Sequence, residues 1–270
     1  MQILPSPELR PYIKHYLFIN SGGPIARALR IFADGNTGVV FCLNSTILST
    51  DQQVLPRTFV YGQITDYKTL STNKSISLAI VVFHPFGMHS LLGINANLLK
   101  SMLADSQDIF GAGTNELQER LEQSDSMEAM AHLVDHFFKR KIVMQSPLHA
   151  MLSCTTHWML RRNGIFTAAE LMGHTGWQQR SLERAFNDAV GLSPKKLGGI
   201  IRLHHYLGGV RDLKAKGKLT ALAYDAGYYD QAHLIREFRR FTGLTPGSYT
   251  RIENHLAVNV LLYRDENVQL

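Results

Sequence analysis

Arginine and glutamine side chains on the outer faces of two amphipathic stretches are the groups in this 270-residue sequence best placed to do chemistry. In the first stretch Leu182, Ala185, Phe186 and Ala189 recur at helical spacing on one face, which leaves Arg180, Glu183, Arg184 and Asn187 broadly opposite. In the second, Leu234, Phe238 and Phe241 face inward and Ala232, Ile235, Arg236 and Arg239 outward, with Gln231 on the first-turn shoulder and Arg240 on the flank. A guanidinium fork matches guanine O6 and N7 in a major groove, glutamine pairs with adenine, and a small or apolar side chain meets the thymine methyl. A single helix of this kind is equally well read as a solvated charged face, so the spacing of its neighbours has to decide.

Other chemistry is thin. His84 and His89 have no carboxylate or cysteine at metal-site spacing, and the dense histidine-glutamate motif of metal-binding cupins is missing, so no metal and no cofactor are expected. There is no Gly-x-Ser-x-Gly elbow, phosphate-binding lysine loop or dinucleotide fingerprint, so no catalytic residue is assigned and no enzyme is expected. Cys42 and Cys154 are too few for a metal cluster and read as buried free thiols. His84 reads first as a structural histidine; if a ligand pocket exists, Phe41, Tyr61, Gln63 and His84 are candidates for its lining, on the ground that they are aromatic or polar residues at or near strand ends.

The elements that must position the arginines come from an internal repeat. Residues 171–177 align with 222–228 at an offset of 51, each ending in glycine and an aromatic residue. Leu182, Arg184, Phe186, Gly191, Leu192, Ser193 and Pro194 then align with Leu234, Arg236, Phe238, Gly243, Leu244, Thr245 and Pro246 at an offset of 52. Each copy is a short helix, a turn at Gly176 or Gly227 where a positive φ costs little, and a second helix: a helix-turn-helix. Between them Ser193 and Pro194 start a joining helix that can run to about Lys214, before a break at 216–218; it contains two glycine pairs, 198–199 and 208–209, that are poor helix formers. A helix of that length spans ~30 Å, near the ~34 Å between successive major-groove segments on one DNA face. Lys195, Lys196, Arg239, Arg240 and Arg251 are phosphate-contact candidates, or else solvated surface charges.

Charge follows the same division. The net +6 lies wholly in the second half: residues 1–150 hold 12 Lys or Arg against 12 Asp or Glu, and 151–270 hold 16 against 10. Phosphate neutralisation makes such a basic half the expected face for nucleic acid. No apolar run is long enough to span a bilayer and no signal segment opens the chain, so a soluble cytoplasmic protein without membrane contact is expected.

The residues 226–246, with Tyr249 and Arg251, resemble the AraC family of bacterial transcription regulators, and the resemblance covers roughly residues 150–251. It implies that both units bind double-stranded promoter or operator DNA and that Arg180, Glu183, Arg184, Gln231, Ala232, Ile235 and Arg236 face bases. Segments 60–65 and 82–87 resemble an uncharacterised sensor-like domain found in some AraC-type regulators.

The N-terminal half carries short alternating or apolar runs at 12–19, 28–32, 39–43, 58–61 and 76–83, which read as strands. From Asn115 the pattern turns helical, and Met127, Met130, Leu133, Val134, Phe137 and Phe138 form a stripe that is either core or the interface of a homodimer. The expected fold is α+β: a β-rich sensor domain with C-terminal helices over 1–145, an all-α double helix-turn-helix domain over 146–251, and a C-terminal extension over 252–270. Residues 255–263 of that extension are too apolar for a solvated tail and read as a strand or a docked segment. The expected function is sequence-specific transcription regulation, controlled by a small molecule or a partner. The alternatives are a small-molecule enzyme fused to a DNA reader, which needs an acid, base or metal cluster in the first domain, and an architectural protein, which needs a solidly packed one.

Overall fold

The computed structural model describes residues 1–21, 27–72, 75–142, 147–212, 219–252, 255–257 and 259–263. The expected domain boundary at 145 and the break at 216–218 lie outside the described residues, as do parts of the C-terminal extension.

Among the described residues eight strands precede the main helices: β1 (Gln2–Ile3), β2 (Ile13–Ser21), β3 (Arg27–Ile31), β4 (Thr37–Cys42), β5 (Thr58–Tyr61), β6 (Lys68–Thr72), β7 (Ile76–Phe83) and β8 (Leu103–Asp105). Six of them form one antiparallel sheet in the order β1-β2-β7-β4-β5-β8. The other two join β9 (His255–Ala257) and β10 (Val260–Tyr263), from the far end of the chain, in a second antiparallel sheet ordered β6-β3-β10-β9. The strand expected within 255–263 is therefore present. Strands β1, β6 and β8 were not legible in the sequence, because two or three residues, or the polar run Lys68–Thr72, carry too little alternation.

The larger sheet is buried on both faces, and its period of two separates two cores. Phe18, Val39, Phe41, Val60, Ala79, Val81 and Phe83 point one way, onto α3 (Gly113–Glu122) and α4 (Met127–Lys139), where they meet Leu117, Leu121, Ala131, Val134 and Phe138. Leu17, Ile19, Val40, Phe59, Leu78 and Val82 point the other way, towards Leu29, Leu70 and Val260 of the second sheet. The apolar stripe on α4 is thus core: Met127, Met130, Leu133 and Phe137 are partly buried against the same cluster. Ser126 caps this helix by accepting from the Ala129 amide at 3.1 Å, and the Tyr16 hydroxyl ties it to the sheet by donating to Asp135 at 2.5 Å.

Short helices α1 (Gly87–Leu92) and α2 (Ser106–Phe110) fill the end of this half. The helical half comprises α5 (Pro147–Arg161), α6 (Ala168–Thr175), α7 (Gln179–Val190), α8 (Pro194–Asp212), α9 (Leu219–Asp225), α10 (Gln231–Thr242) and α11 (Pro246–Tyr249). Its core includes Phe186, Ile200, Tyr206, Phe238 and Tyr249, and it is completed by Phe32, Ala33 and Phe86 from the β-rich half and by Leu261 from β10. No described helix is long and apolar enough to cross a membrane.

Candidate nucleic-acid interface and internal cavity

The two helix-turn-helix units are α6–α7 and α9–α10. Thr167 and Glu170 form a capping box at the start of α6, the Thr167 hydroxyl accepting from the Glu170 amide at 3.2 Å and Glu170 accepting from the Thr167 amide at 2.7 Å. Glycines 176 and 227 hold φ of +69° and +76°, which turns the chain into the second helix of each unit without the steric cost a Cβ brings. Asp230 caps α10 by accepting from the His233 amide at 2.6 Å. Leu182 and Phe186 on α7, and Leu234, Phe238 and Phe241 on α10, are buried, so the opposite face of each helix is presented to solvent.

Every residue expected to face bases lies on those exposed faces: Arg180, Glu183 and Arg184 on α7, and Gln231, Ala232, Ile235 and Arg236 on α10. Glu183 accepts from the Gln179 side-chain amide at 2.9 Å, and Gln231 donates to the Thr220 hydroxyl at 2.6 Å. Among the described residues Arg180, Arg184 and Arg236 make no ion pair, so their guanidinium groups are uncommitted. The phosphate candidates divide. Lys195, Arg239 and Arg251 are exposed. Lys196 is partly buried near Asp66, Lys100 and Arg240, and that burial holds its pKa below the usual lysine value. Arg240 lies over the Phe241 ring, 4.4 Å from its centroid, and 3.9 Å from Glu237. The surroundings of Lys196 depend on what folds back beside its helix, whereas both partners of Arg240 are neighbours on its own helix.

Helix α8 joins the units without a break across its described length, 19 residues or ~28 Å. One glycine of each pair is a close-approach position: a Cβ on Gly198 would stand 2.8 Å from the Phe166 ring, and one on Gly209 2.8 Å from the Leu222 side chain. The helix is fastened to α10 by Arg202, which donates to Glu237 at 3.0 Å and lies 4.8 Å from the Tyr228 ring centroid. Tyr228 is buried and Tyr229 is 88% exposed, immediately before α10, with exposed Tyr224 on α9 nearby in sequence. These two exposed tyrosines were missed as candidate contacts; the signal for Tyr229 was the double aromatic after Gly227, of which only one can turn inward.

Between the two sheets lies a cavity of about 500 Å3. Its walls are mostly apolar, from Leu17, Leu29, Val40, Phe59, Leu78 and Val260. The helical half contributes too, with Leu160 and Asn163 at the end of α5 and Ile201, His204 and His205 on α8. Polar groups gather among these helix residues and Lys14, His15 and Asp34. Asp34 is engaged by Asn36, whose amide and side chain donate to it at 3.0 and 2.9 Å. Burial, with Lys14 adjacent, pushes His15 down to about 4, and burial also lowers His204, which contacts the Ala33 carbonyl at 2.8 Å.

Of the four residues expected to line a pocket, Tyr61 does so, and burial raises its phenol well above the usual value. Phe41, Gln63 and His84 do not line it. Phe41 is one residue out of register, its side chain passing to the α3–α4 face while Val40 enters the cavity. Gln63 is buried, donating to the Gly35 carbonyl at 2.9 Å. His84 contacts the Arg10 carbonyl at 3.2 Å and stacks on Phe86, and burial pushes it down to about 4; it is the structural histidine of the two readings. Cys42 is buried as expected, whereas Cys154 is exposed. Among the described residues no group of three or more His, Cys, Asp or Glu side chains gathers as a metal site.

Two matched turns, two exposed recognition faces and one joining helix define a DNA-binding transcription regulator. Residues 171–252 match a helix-turn-helix domain, and residues 1–105 match a domain of unknown function, DUF6597. The helix-turn-helix match thus lies behind the match to that second domain. Among solved structures, ToxT from Vibrio cholerae is similar at 14% identity over 87% of this chain and 98% of that one, with a TM-score of 0.50. A ToxT structure with a bound unsaturated fatty acid is similar at 13% identity over 87% and 94%, with a TM-score of 0.45. The AraC-like transcriptional activator CuxR is similar at 14% identity over 78% and 77%, with a TM-score of 0.20. The first of these likenesses extends to the fold. No curated protein matches the chain.

Proposed function

We propose that this regulator reads its operator with Arg180, Glu183, Arg184, Gln231, Ala232, Ile235 and Arg236, and that a small molecule in the cavity between the sheets controls the reading. Residues 146–251 act as the reader and 1–145 as the sensor, to which the strands of 252–270 are added. The observation that carries the effector half of this reading is the composition of the cavity wall: α5 and α8 supply part of it, so a ligand there touches sensor and reader at once. A cavity of about 500 Å3 is within the ordinary range for small-molecule sites, and its apolar body with a few polar groups near α8 suits a largely apolar molecule with one polar end. The same cavity disfavours a purely architectural protein, which has no use for an unfilled sensor domain.

The test is a titration of variants against operator and scrambled duplexes at several salt concentrations. Arg184→Ala and Arg236→Ala each weaken operator binding by ~1–3 kcal/mol and change scrambled binding much less. Lys195→Ala weakens both alike and lowers the log-log salt slope by ~1. Equal losses on both duplexes for the two arginine variants place those arginines on phosphates and overturn the assignment.

A further inference from the structure

The segment that follows the second helix-turn-helix unit returns to the β-rich half and becomes a wall of the cavity. Beyond α11 the chain enters β9 and β10, and β10 pairs with β3 through Val260↔Ile31, Leu261↔Arg30, Leu262↔Leu29 and Tyr263↔Ala28. Neither domain match reaches these strands.

The alternation of β10 gives its two faces different neighbours. Val260, with Ala257 and Asn259 before it, lines the cavity. Leu261, fully buried, belongs instead to the helical core with Phe32, Phe238 and Tyr249. Asn259 fixes the approach: its carbonyl accepts from the Phe32 amide at 3.2 Å, and its side-chain amide donates to the Phe32 carbonyl at 3.4 Å. The Phe32 ring stands edge-on to Tyr249 at 6.4 Å, and Tyr249 edge-on to Phe238 at 5.8 Å. Phe238 is on the inner face of α10, two residues from Arg236.

A close-packed strand cannot move one face without the other, because interiors lack the free volume to absorb a displacement. A ligand pressing on Val260 therefore loads Leu261 and, through Phe32 and Tyr249, the seat of α10. The pairing of β10 with β9 is short and shifts register between Val260 and Leu261, which is where such a pair yields most easily.

We propose that the strand pair β9–β10 is part of the effector site and transmits its occupancy to the second recognition helix. This rests on the reading that the cavity holds a small molecule, of apolar body and polar end.

The experiment is hydrogen exchange by mass spectrometry on the full chain with anilinonaphthalene sulfonate as probe. Leu78→Trp, and Leu29→Phe as a milder filler, first locate the probe: binding must weaken in them. In the parent chain, saturation slows exchange over 255–263 by about fivefold and changes exchange over 231–249 by about twofold. Ending the chain at Ile252, or Asn259→Ala/Val260→Ala should that chain not fold, removes part of the cavity wall and weakens the probe; at probe concentrations raised to saturate these chains, the change over 231–249 is lost. Probe binding indifferent to both fillers removes the cavity reading and the proposal with it. Binding that obeys the fillers but leaves 255–263 unchanged, or moves 231–249 equally without an intact strand, overturns the strand's role alone.

Discussion

The two helix-turn-helix units share a motif and differ in what holds them to the β-rich half. The first abuts backbone: Gly191, at the end of α7 with φ of +78°, lies so close to the 3-10 turn Ala96–Leu99 that an added Cβ would stand 2.9 Å from the Ala96 carbonyl oxygen. The second is held by side chains and a strand. Gly243, at the equivalent place after α10, faces the ring of Tyr67, over which Arg30 of β3 lies at 4.8 Å, and Tyr249 behind it leans on Phe32. Backbone resists displacement and a partly exposed ring can swing aside, so the two copies of one motif are seated on supports of different stiffness.

The largest effect tests whether that difference stops at the attachments. Phe186 and Phe238 are both fully buried in one continuous core. Phe186→Ala and Phe238→Ala should each cost ~3–5 kcal/mol, in a single urea transition followed by circular dichroism. A biphasic melt in one variant alone means the units unfold separately, and the comparison then concerns two cores.

Next come the two glycines. Gly191→Ala combines a positive φ with a clash against a carbonyl that cannot move, and should cost ~2–3 kcal/mol. Gly243→Ala meets a ring of which Tyr67 can clear the way, leaving the cost of the φ alone, ~1 kcal/mol. Equal losses by chemical denaturation would show that Tyr67 is held as firmly as the backbone at Ala96.

The smallest effect concerns pH. His15 and His84 titrate near 6.5 when unfolded and are pushed down to about 4 in the fold. Between those values the unfolded chain binds more protons, so stability is constant above about 6.5 and falls as pH drops towards 4. His15→Gln should flatten part of that slope in urea midpoints measured from pH 7 to 4. If the slope persists in full in His15→Gln and His84→Gln, neither of these histidines is its source.

Much of the reader was legible because its signals are local. Helical spacing sorts Leu182 and Phe186 from Arg180 and Arg184 within one helix, and glycine at the turn needs only its own φ. The sensor was legible as strands and not as a site. Alternation in 39–43 says that Val40 and Phe41 face opposite ways, yet not which way holds the cavity, because both faces of the central sheet are apolar and buried. That ambiguity put Phe41 in the expected lining in place of Val40. For the same reason the surroundings of Lys196 were invisible, since they come from whatever packs alongside, whereas the Arg240 partners lie one and three positions away on its own helix.

The sequence by itself determined the repeat, the turns at Gly176 and Gly227, the exposed arginine faces, the basic half and the strand character of 255–263. All of these follow from residue type and from spacing within a few turns of chain. Tertiary structure alone decided that β10 inserts beside β3, that α5 and α8 help to wall the cavity, and that Phe32 and Leu261 complete the helical core. Strand pairing and core closure join residues more than two hundred positions apart, and an apolar strand carries no mark naming its partner; the partner is selected by which faces remain to be covered once the local elements have formed.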